Sequence, residues 1–168
     1  MLIGHLPAGY ITAKLLYPAF AKDVASERRF IGWSMAGACA PDIDMLYFYF
    51  IDHRQHLHHS YFTHYPLFWL GLFLLSLLWL KKRPASGALA FAFCLGGVGH
   101  MLLDTIVGGI WWLAPFYDKS FALFAVPAGL HPWWLNFVCH WSFALELALV
   151  LAALTLWLWP GRRQGLSR

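Results

Sequence analysis

Long apolar stretches separated by short polar or proline-containing joints dominate the chain. About 20 mostly apolar residues are needed to cross a hydrocarbon core of roughly 30 Å. The first of the apolar stretches is interrupted by charged, histidine and proline residues, so the pattern leaves open whether it spans or lies partly in the interface. We expect an all-α polytopic bundle of about five transmembrane helices, with residues 1–168 forming one membrane-embedded domain. The five predicted spans are residues 2–20, 30–51, 65–80, 85–113 and 135–159.

Composition supports a membrane protein. Hydrophobic residues make up 60% of the 168 residues, charged residues make up only 12%, and the mean hydropathy is +0.57. These values exclude an ordinary soluble domain. No cationic segment precedes the first apolar stretch and no small-residue cleavage pattern follows it, so we do not predict a removed signal peptide. Cys39, Cys94 and Cys139 lie singly in different apolar segments, which argues against a disulfide framework and a thiolate metal site.

Basic residues near the span ends set the expected orientation. With five spans, the N-terminus and the joints 52–64 and 114–134 lie on the outer side of the membrane. The net charge of +4 is explained by this topology, and no basic stripe with interleaved aromatic residues indicates nucleic acid. The positive-inside rule places three clusters in the cytoplasm: Lys22 with Arg28 and Arg29, Lys81 to Arg83, and Arg162, Arg163 and Arg168.

Ionisable residues inside the apolar segments share one depth. At about 1.5 Å per helical residue, His5, His64 and His100 each lie seventeen residues, or roughly 26 Å, from the nearest cytoplasmic cation. By the same count Asp42 lies at roughly 20 Å and Asp104 at roughly 32 Å. Ionisable groups are costly in a membrane and usually face a bundle interior or a wet cavity. The count predicts a polar site in the outer half of the bundle.

The sequence APDID places Asp42 and Asp44 just after Pro41. Proline removes a backbone donor and disfavours helix at the preceding residue, so we predict that the helix kinks or restarts here. A restarted helix would direct both carboxylates into a cavity. The alternative is that Asp42 only caps the restarted helix, which explains one of the two aspartates.

His100 and Asp104, in GHMLLDT, are four residues apart and project from one face of a helix. Such a pair can bind one metal ion. Alternatively, the aspartate can hydrogen-bond to the imidazole and fix its tautomer without binding the ion itself. The alternative is a buried hydrogen-bonded pair with a packing role alone. The preceding GGVG permits close helix packing.

The histidine-rich stretch DHRQHLHHSYFTH, residues 52–64, supplies further candidate ligands. His59 and His64 are five residues apart and diverge on an ideal helix, so a shared ion requires a turn or a helix start between them. Pro66 suits the first turn of the following helix. Imidazole and carboxylate without thiolate suit one or two divalent ions, zinc first and manganese or iron as alternatives. The remaining histidines of the stretch are interpreted as rim residues: His53, His56 and His58.

The ordered motifs GHLPAGY, PDID, HSYFTH, GHMLLD and WLAPF resemble the YdjM-like family of predicted metal-dependent hydrolases of bacterial inner membranes. The resemblance runs up to about residue 116. Ser60, Tyr61 and Tyr65 stand where the family usually has Arg, Gly and Ser, so Arg54 is the candidate to replace the family's arginine. The resemblance implies metal-site roles for seven residues: His5, Asp42, Asp44, His59, His64, His100 and Asp104.

The expected activity is metal-assisted hydrolysis, in which a bound ion lowers the pKa of water and polarises an ester or phosphoryl oxygen. Asp44 or Asp104 would accept the proton of water, and Arg54 would contact a phosphate. Because the predicted site lies at the outer interface, facing the periplasm or cell exterior, we expect a lipid or lipid-linked (phospho)ester as substrate.

Two other classes of function remain as alternatives. A divalent-metal transporter or metal-handling membrane protein predicts polar residues that continue to the inner face, whereas the inner halves of the spans are almost entirely apolar. A structural scaffold does not explain why the histidines cluster on one side. Outside the main set, His131 is expected to order a loop, His140 to bind or support the metal, and Glu146 to form an ion pair with Lys14 or, as the alternative, to support the site.

Overall fold

The computed structural model describes residues 1–24 and 26–159. Within these ranges the chain forms α-helices and short 3₁₀ turns without a strand, and one isolated bridge pairs Ile110 with Phe121. The predicted all-α class is therefore confirmed. The helices are α1 (His5–Phe20), α2 (Glu27–Cys39), α3 (Asp44–Phe50), α4 (Pro66–Lys82), α5 (Pro84–Val107), α6 (Trp134–Val138) and α7 (Ser142–Leu158).

Three predicted spans differ from these helices. The stretch 30–51 is not one helix, because a 3₁₀ turn at Pro41–Ile43 separates α2 from α3 at the proline that predicted a restart. The stretch 135–159 is divided between α6 and α7. Helix α5 ends at Val107 rather than at residue 113, because Gly108 takes an extended conformation with φ −110° and ψ 136°.

Helix length supports fewer spans than the sequence predicted. Among the described residues, only α5, with 24 residues, is long and apolar enough to cross a membrane by length and composition. Helix α7 is apolar but has 17 residues, and α4 also has 17. By this criterion one of the five predicted spans is supported.

Helix α5 is central to the bundle. It packs against α1, α2 and α4, while α7 packs mainly against α1. Two glycines allow α2 and α5 to meet backbone to backbone. A Cβ atom on Gly37 would lie 1.9 Å from the carbonyl oxygen of Phe93, and one on Gly96 would lie 2.3 Å from that of Ser34. The close packing predicted from GGVG is confirmed at Gly96, whereas Gly99 faces open space.

The helix directions give the bundle two chemically different ends. At one end α1 and α4 begin and α2 and α5 finish, and this end carries the polar residues of the predicted site. Near the other end an apolar cluster that includes Ala13, Phe30 and Ala88 joins α1, α2 and α5. Lys22 and Lys82 lie on that side, at the ends of α1 and α4. The third predicted basic cluster, Arg162, Arg163 and Arg168, lies outside the described residues.

Candidate metal centre

The predicted site residues meet at the polar end of the bundle. Helix α1 presents its first residue, the α2–α3 turn presents two aspartates, the joint before α4 presents histidines, and α5 presents a histidine and an aspartate one turn apart. Contacts of 3.9 Å or less connect all seven residues implied by the resemblance. The depth count therefore selected side chains that lie together.

His64 and His100 form the centre of this cluster, and both are buried. Nδ1 of His100 donates to the carbonyl oxygen of Ala38 at 2.7 Å, and Nδ1 of His64 donates to Asp44 Oδ2 at 2.7 Å. These hydrogen bonds fix the tautomers, so that each Nε2 carries a lone pair. Neither Nε2 atom has a hydrogen-bond partner among the described residues.

Asp104 joins this central pair to α1. Its Oδ2 lies 3.0 Å from His100 Nε2 and 3.9 Å from His64 Nε2, and its Oδ1 lies 3.1 Å from His5 Nε2. The imidazoles of His5 and His100 are stacked, with ring centres 3.6 Å apart. The α-amino group of Met1 also donates to Asp104 Oδ1. His5, His100 and Asp104 thus form a triad whose ligand atoms all lie within 4.8 Å of one another.

Asp42 contacts the same central pair. Its Oδ1 lies 3.6 Å from His64 Nε2 and 3.7 Å from His100 Nε2. Its side chain is 41% exposed, whereas that of Asp104 is 1% exposed, so Asp42 lies at the opening of the cluster. Asp42, His64 and His100 form a second triad with ligand atoms within the same 4.8 Å limit.

Asp44 lies behind the imidazoles rather than among the triads. Its Oδ2 accepts hydrogen bonds from His64 Nδ1 and from the hydroxyl of Thr63. Its Oδ1 lies 3.0 Å from His58 Nδ1 but has no hydrogen-bond partner in the described part of the chain. A carboxylate behind a ligating histidine orients the ring and increases its basicity. The structure therefore gives Asp44 an orienting contact and leaves one of its oxygens without a donor.

The spacing of ligand atoms in the triads is compatible with a divalent ion. His100 Nε2 lies 3.0 Å from Asp104 Oδ2 in the first triad and 3.7 Å from Asp42 Oδ1 in the second. Ligands at about 2.0 Å from a tetrahedral ion are themselves about 3.3 Å apart. A buried polar group without a partner costs about 1–3 kcal/mol, and a bound ion would remove that cost at both Nε2 atoms.

His58 belongs to the cluster, and its interpretation as a rim residue is wrong. Its Nε2 lies 3.2 Å from Asp42 Oδ1, and it forms a third group of candidate ligands with His59 and His64. Burial opposes protonation of His58, but Asp42 and Asp44 outweigh burial and raise the pKa of His58 to about 9. The depth count missed this residue because the 3₁₀ turns at His58–Ser60 and Phe62–His64 fold the joint back on itself.

His59 completes the link between this group and α5. Its Nε2 lies 3.4 Å from Asp104 Oδ2. Burial lowers the pKa of His59 to about 3, so its imidazole is neutral and can offer a lone pair.

Arg54 is not part of the cluster. Its guanidinium lies 6.0 Å from the ring centre of Tyr49, and within the described residues it forms no ion pair with a site carboxylate. The nearby His56 is exposed, and its Nδ1 hydrogen-bonds to Asp52 at 2.6 Å. Burial opposes ionisation of Asp52, but the hydrogen bonds from His56 outweigh it and lower the pKa of Asp52 to about 2. Because Arg54 lies outside the cluster, the geometry does not support its predicted role in binding phosphate.

The predicted ion pair between Glu146 and Lys14 is wrong. Lys14 instead pairs with Glu27 at 2.6 Å. Glu146 is buried, and its Oε2 accepts hydrogen bonds from three successive backbone N–H groups immediately before His5. This carboxylate anchors the start of α1 to α7. The three donors are Leu2, Ile3 and Gly4.

His140 and His131 lie apart from the cluster. Nδ1 of His140 contacts the hydroxyl of Ser142 at 2.9 Å, and none of the candidate ligand triads contains His140. His131 is exposed in the joint before α6, next to Pro132. The position of His140 therefore does not support its predicted role at the metal.

A comparison against known families gives a match over most of the chain. The model of the YdjM inner membrane protein family matches residues 1–164. The chain belongs to this family. Membership confirms the resemblance seen in the motifs and extends it past residue 116, and it identifies an inner membrane protein of the YdjM family. No curated protein and no solved structure matches the chain.

Proposed function

We propose that this YdjM family member is a membrane-bound, metal-dependent hydrolase. The observation that carries the proposal is the pair of buried imidazoles, His64 and His100, whose unpartnered Nε2 atoms lie between Asp42 and Asp104. A scaffold would need no such free lone pairs, because hydrogen-bonded neutral pairs would lock the helices at lower cost.

The proposed ligands can hold one or two ions. The first triad contains His5, His100 and Asp104, and the second contains Asp42, His64 and His100. His100 can bind only one ion at a time. Its Nδ1 is hydrogen-bonded to the carbonyl oxygen of Ala38, which leaves Nε2 as its one ligand atom. His59, whose imidazole is neutral, is placed to complete a ligand set, and His58 is placed to position the carboxylates of Asp42 and Asp44. The mixed nitrogen and oxygen donors suit zinc, with manganese or iron as alternatives.

Asp44 is the proposed general base. A divalent ion at the site supplies the usual lowering of the pKa of water and polarisation of an ester or phosphoryl oxygen. Asp44 Oδ2 is held by His64 and Thr63, which fixes the carboxylate, and Oδ1, 3.0 Å from His58 Nδ1, is the oxygen that would accept the proton. Asp104, the other candidate base, lies within 3.1 Å of the Nε2 atoms of both His5 and His100, which favours a ligand role.

The proposed membrane placement keeps the five-span arrangement, with the α2–α3 pair bent at Pro41 and the site on the periplasmic or outer side. Apolar side chains that face away from the bundle support this arrangement. Leu15, Leu75, Leu151 and Trp157 on α1, α4 and α7 are each more than 60% exposed. Such a surface suits contact with lipid better than contact with water. The proposed substrate is a lipid or lipid-linked (phospho)ester.

Hydrolysis by the purified protein tests this proposal. In detergent with zinc or manganese, wild-type protein should cleave a 4-nitrophenyl phosphodiester, and chelation should abolish the activity. Asp44→Asn should lower kcat about 100-fold or more, as expected for loss of a general base. His53→Ala, which changes an exposed histidine of the same joint, is the control.

Two outcomes would contradict the proposal. Cleavage that persists fully after chelation would exclude a metal-dependent mechanism. Absence of cleavage, combined with metal flux into proteoliposomes, would favour the metal transporter instead.

A further inference from the structure

A cavity of about 600 Å³ borders the candidate metal centre. It lies between α3 and the 3₁₀ turns of the joint 58–64, and its walls are largely apolar. Ile43, Tyr47, Tyr61 and Phe62 contribute most of this apolar character. The volume falls within the range of about 300–1,000 Å³ that is typical of small-molecule sites.

The cavity and the metal centre share two side chains. Asp44 and Thr63 line the cavity, and the Thr63 hydroxyl donates to the same Asp44 oxygen that accepts from His64. A molecule in the cavity is therefore one side chain away from the buried imidazoles. The proposed base, Asp44, stands at the boundary between the two spaces.

Exposed apolar side chains surround the other side of the cavity. Ile43 is 65% exposed and Phe62 is 62% exposed, and both line the cavity. Leu46 and Phe50 continue this apolar surface along α3 and are also exposed. In an inner membrane protein this surface suits hydrocarbon, so the cavity can be reached from the bilayer as well as from water.

Several polar side chains also line the cavity and already take part in hydrogen bonds, Asp52 with His56 and Ser60 with the carbonyl oxygen of Leu57. The hydroxyl of Tyr61 is buried and has no hydrogen-bond partner in the described part of the chain. Its ring packs edge-on against Tyr47, with ring centres 5.4 Å apart. The Tyr61 hydroxyl is therefore placed to meet the polar group of a ligand that is otherwise mostly hydrocarbon.

We propose that this cavity binds the hydrocarbon chain of an amphiphilic ester, with the ester group directed towards Asp44 and the metal centre. The proposal rests on the proposed hydrolase function and deepens it by assigning the substrate class and the chain-binding subsite. It differs from a role in binding a polar head group, because the polar lining residues Asp52, His56 and Ser60 already take part in hydrogen bonds within the chain.

Chain-length dependence tests the proposal. The probes are 4-nitrophenyl alkyl phosphates whose alkyl chain grows from methyl to dodecyl, assayed with zinc or manganese in one detergent. Wild-type kcat/KM should rise by up to about fourfold for each methylene that becomes buried. Tyr47→Trp narrows the cavity and should lower kcat/KM for the dodecyl probe at least tenfold more than for the methyl probe.

Two further variants control for folding and for detergent partitioning. Tyr49→Trp changes the same helix at a residue that does not line the cavity, so it should keep the wild-type ratio between probes. If Tyr47→Trp does not fold, Tyr47→Leu removes the aromatic wall and should shift the preferred chain to a longer one. Comparison of variants on one probe cancels the partitioning of that probe into micelles.

The possible failures are distinguishable. Hydrolysis without chain-length dependence, or with equal dependence in the Tyr47 and Tyr49 variants, would overturn this subsite and leave the hydrolase proposal standing. Absence of hydrolysis of every probe by metal-loaded wild-type protein would overturn both.

Discussion

His58 differs from the other histidines of its joint in the atoms that it contacts. Its ring lies between the carboxylates of Asp42 and Asp44, while His53 is exposed. We expect His58→Ala to weaken metal binding about tenfold, because a ligand or its immediate neighbour is lost. Equilibrium dialysis against zinc followed by elemental analysis measures the effect, and His53→Ala is the matched control. Equal affinities of the two variants would remove His58 from the site.

Residue types and spacing predicted most of the site but not all of the roles. The i,i+4 spacing of His100 and Asp104 and the depth of His5 and His64 located side chains that lie together. Spacing did not reveal that Asp44 lies behind two histidines or that His58 turns inward. Both depend on the path of a non-helical joint, which helical periodicity does not describe.

At the scale of elements, the contact between α2 and α5 depends on glycine. A methyl group on Gly96 would lie 2.3 Å from the Ser34 carbonyl oxygen, so the helices must separate to admit it. We expect Gly96→Ala to lower the free energy of unfolding by about 1–3 kcal/mol, the usual cost of overpacking. Gly99→Ala, on the same helix with nothing within 4 Å, should cause no loss. Unfolding titrations in detergent measure the free energy of unfolding of both variants. Equal stability of the two would refute the close contact at Gly96.

Helix α7 contributes to the metal centre through the start of α1. Because Glu146 holds the three amides before His5, Glu146→Leu should lower metal affinity about tenfold while the protein stays folded. In the His5→Ala background the same change should have little further effect, since coupled residues are not additive. Glu27→Gln, which breaks the ion pair with Lys14 near the opposite end of α1, is the control. Full additivity of the two changes would show that Glu146 affects metal binding independently of His5.

Hydrophobic length predicted where helices occur better than where they stop. Pro41 predicted the break between α2 and α3, and Pro66 predicted the start of α4, because proline restricts the local backbone geometry. The break between α6 and α7 at residues 139–141 had no comparable signal in an apolar run. Support of the site by Glu146 was expected only as an alternative to an ion pair, since a carboxylate that binds distant backbone amides leaves no local pattern.

At the scale of the whole molecule, polar and apolar surfaces are separated in a way that composition alone does not reveal. The histidines and aspartates occupy one end of the bundle, and the two described basic clusters lie towards the other. The sequence predicted this polarity from charge counts along each span. It did not predict a cavity beside the centre, because cavities arise from how α3 and the following turns pack.

Metal content of the folded protein tests the central claim most directly. Wild-type protein purified in detergent with zinc or manganese, and then dialysed, should retain one or two divalent ions per chain by elemental analysis. His100→Ala and His64→Ala should retain fewer while keeping wild-type helix content by circular dichroism. A folded wild-type protein without stoichiometric metal, or variants that retain as much metal as the wild type, would contradict the metal centre.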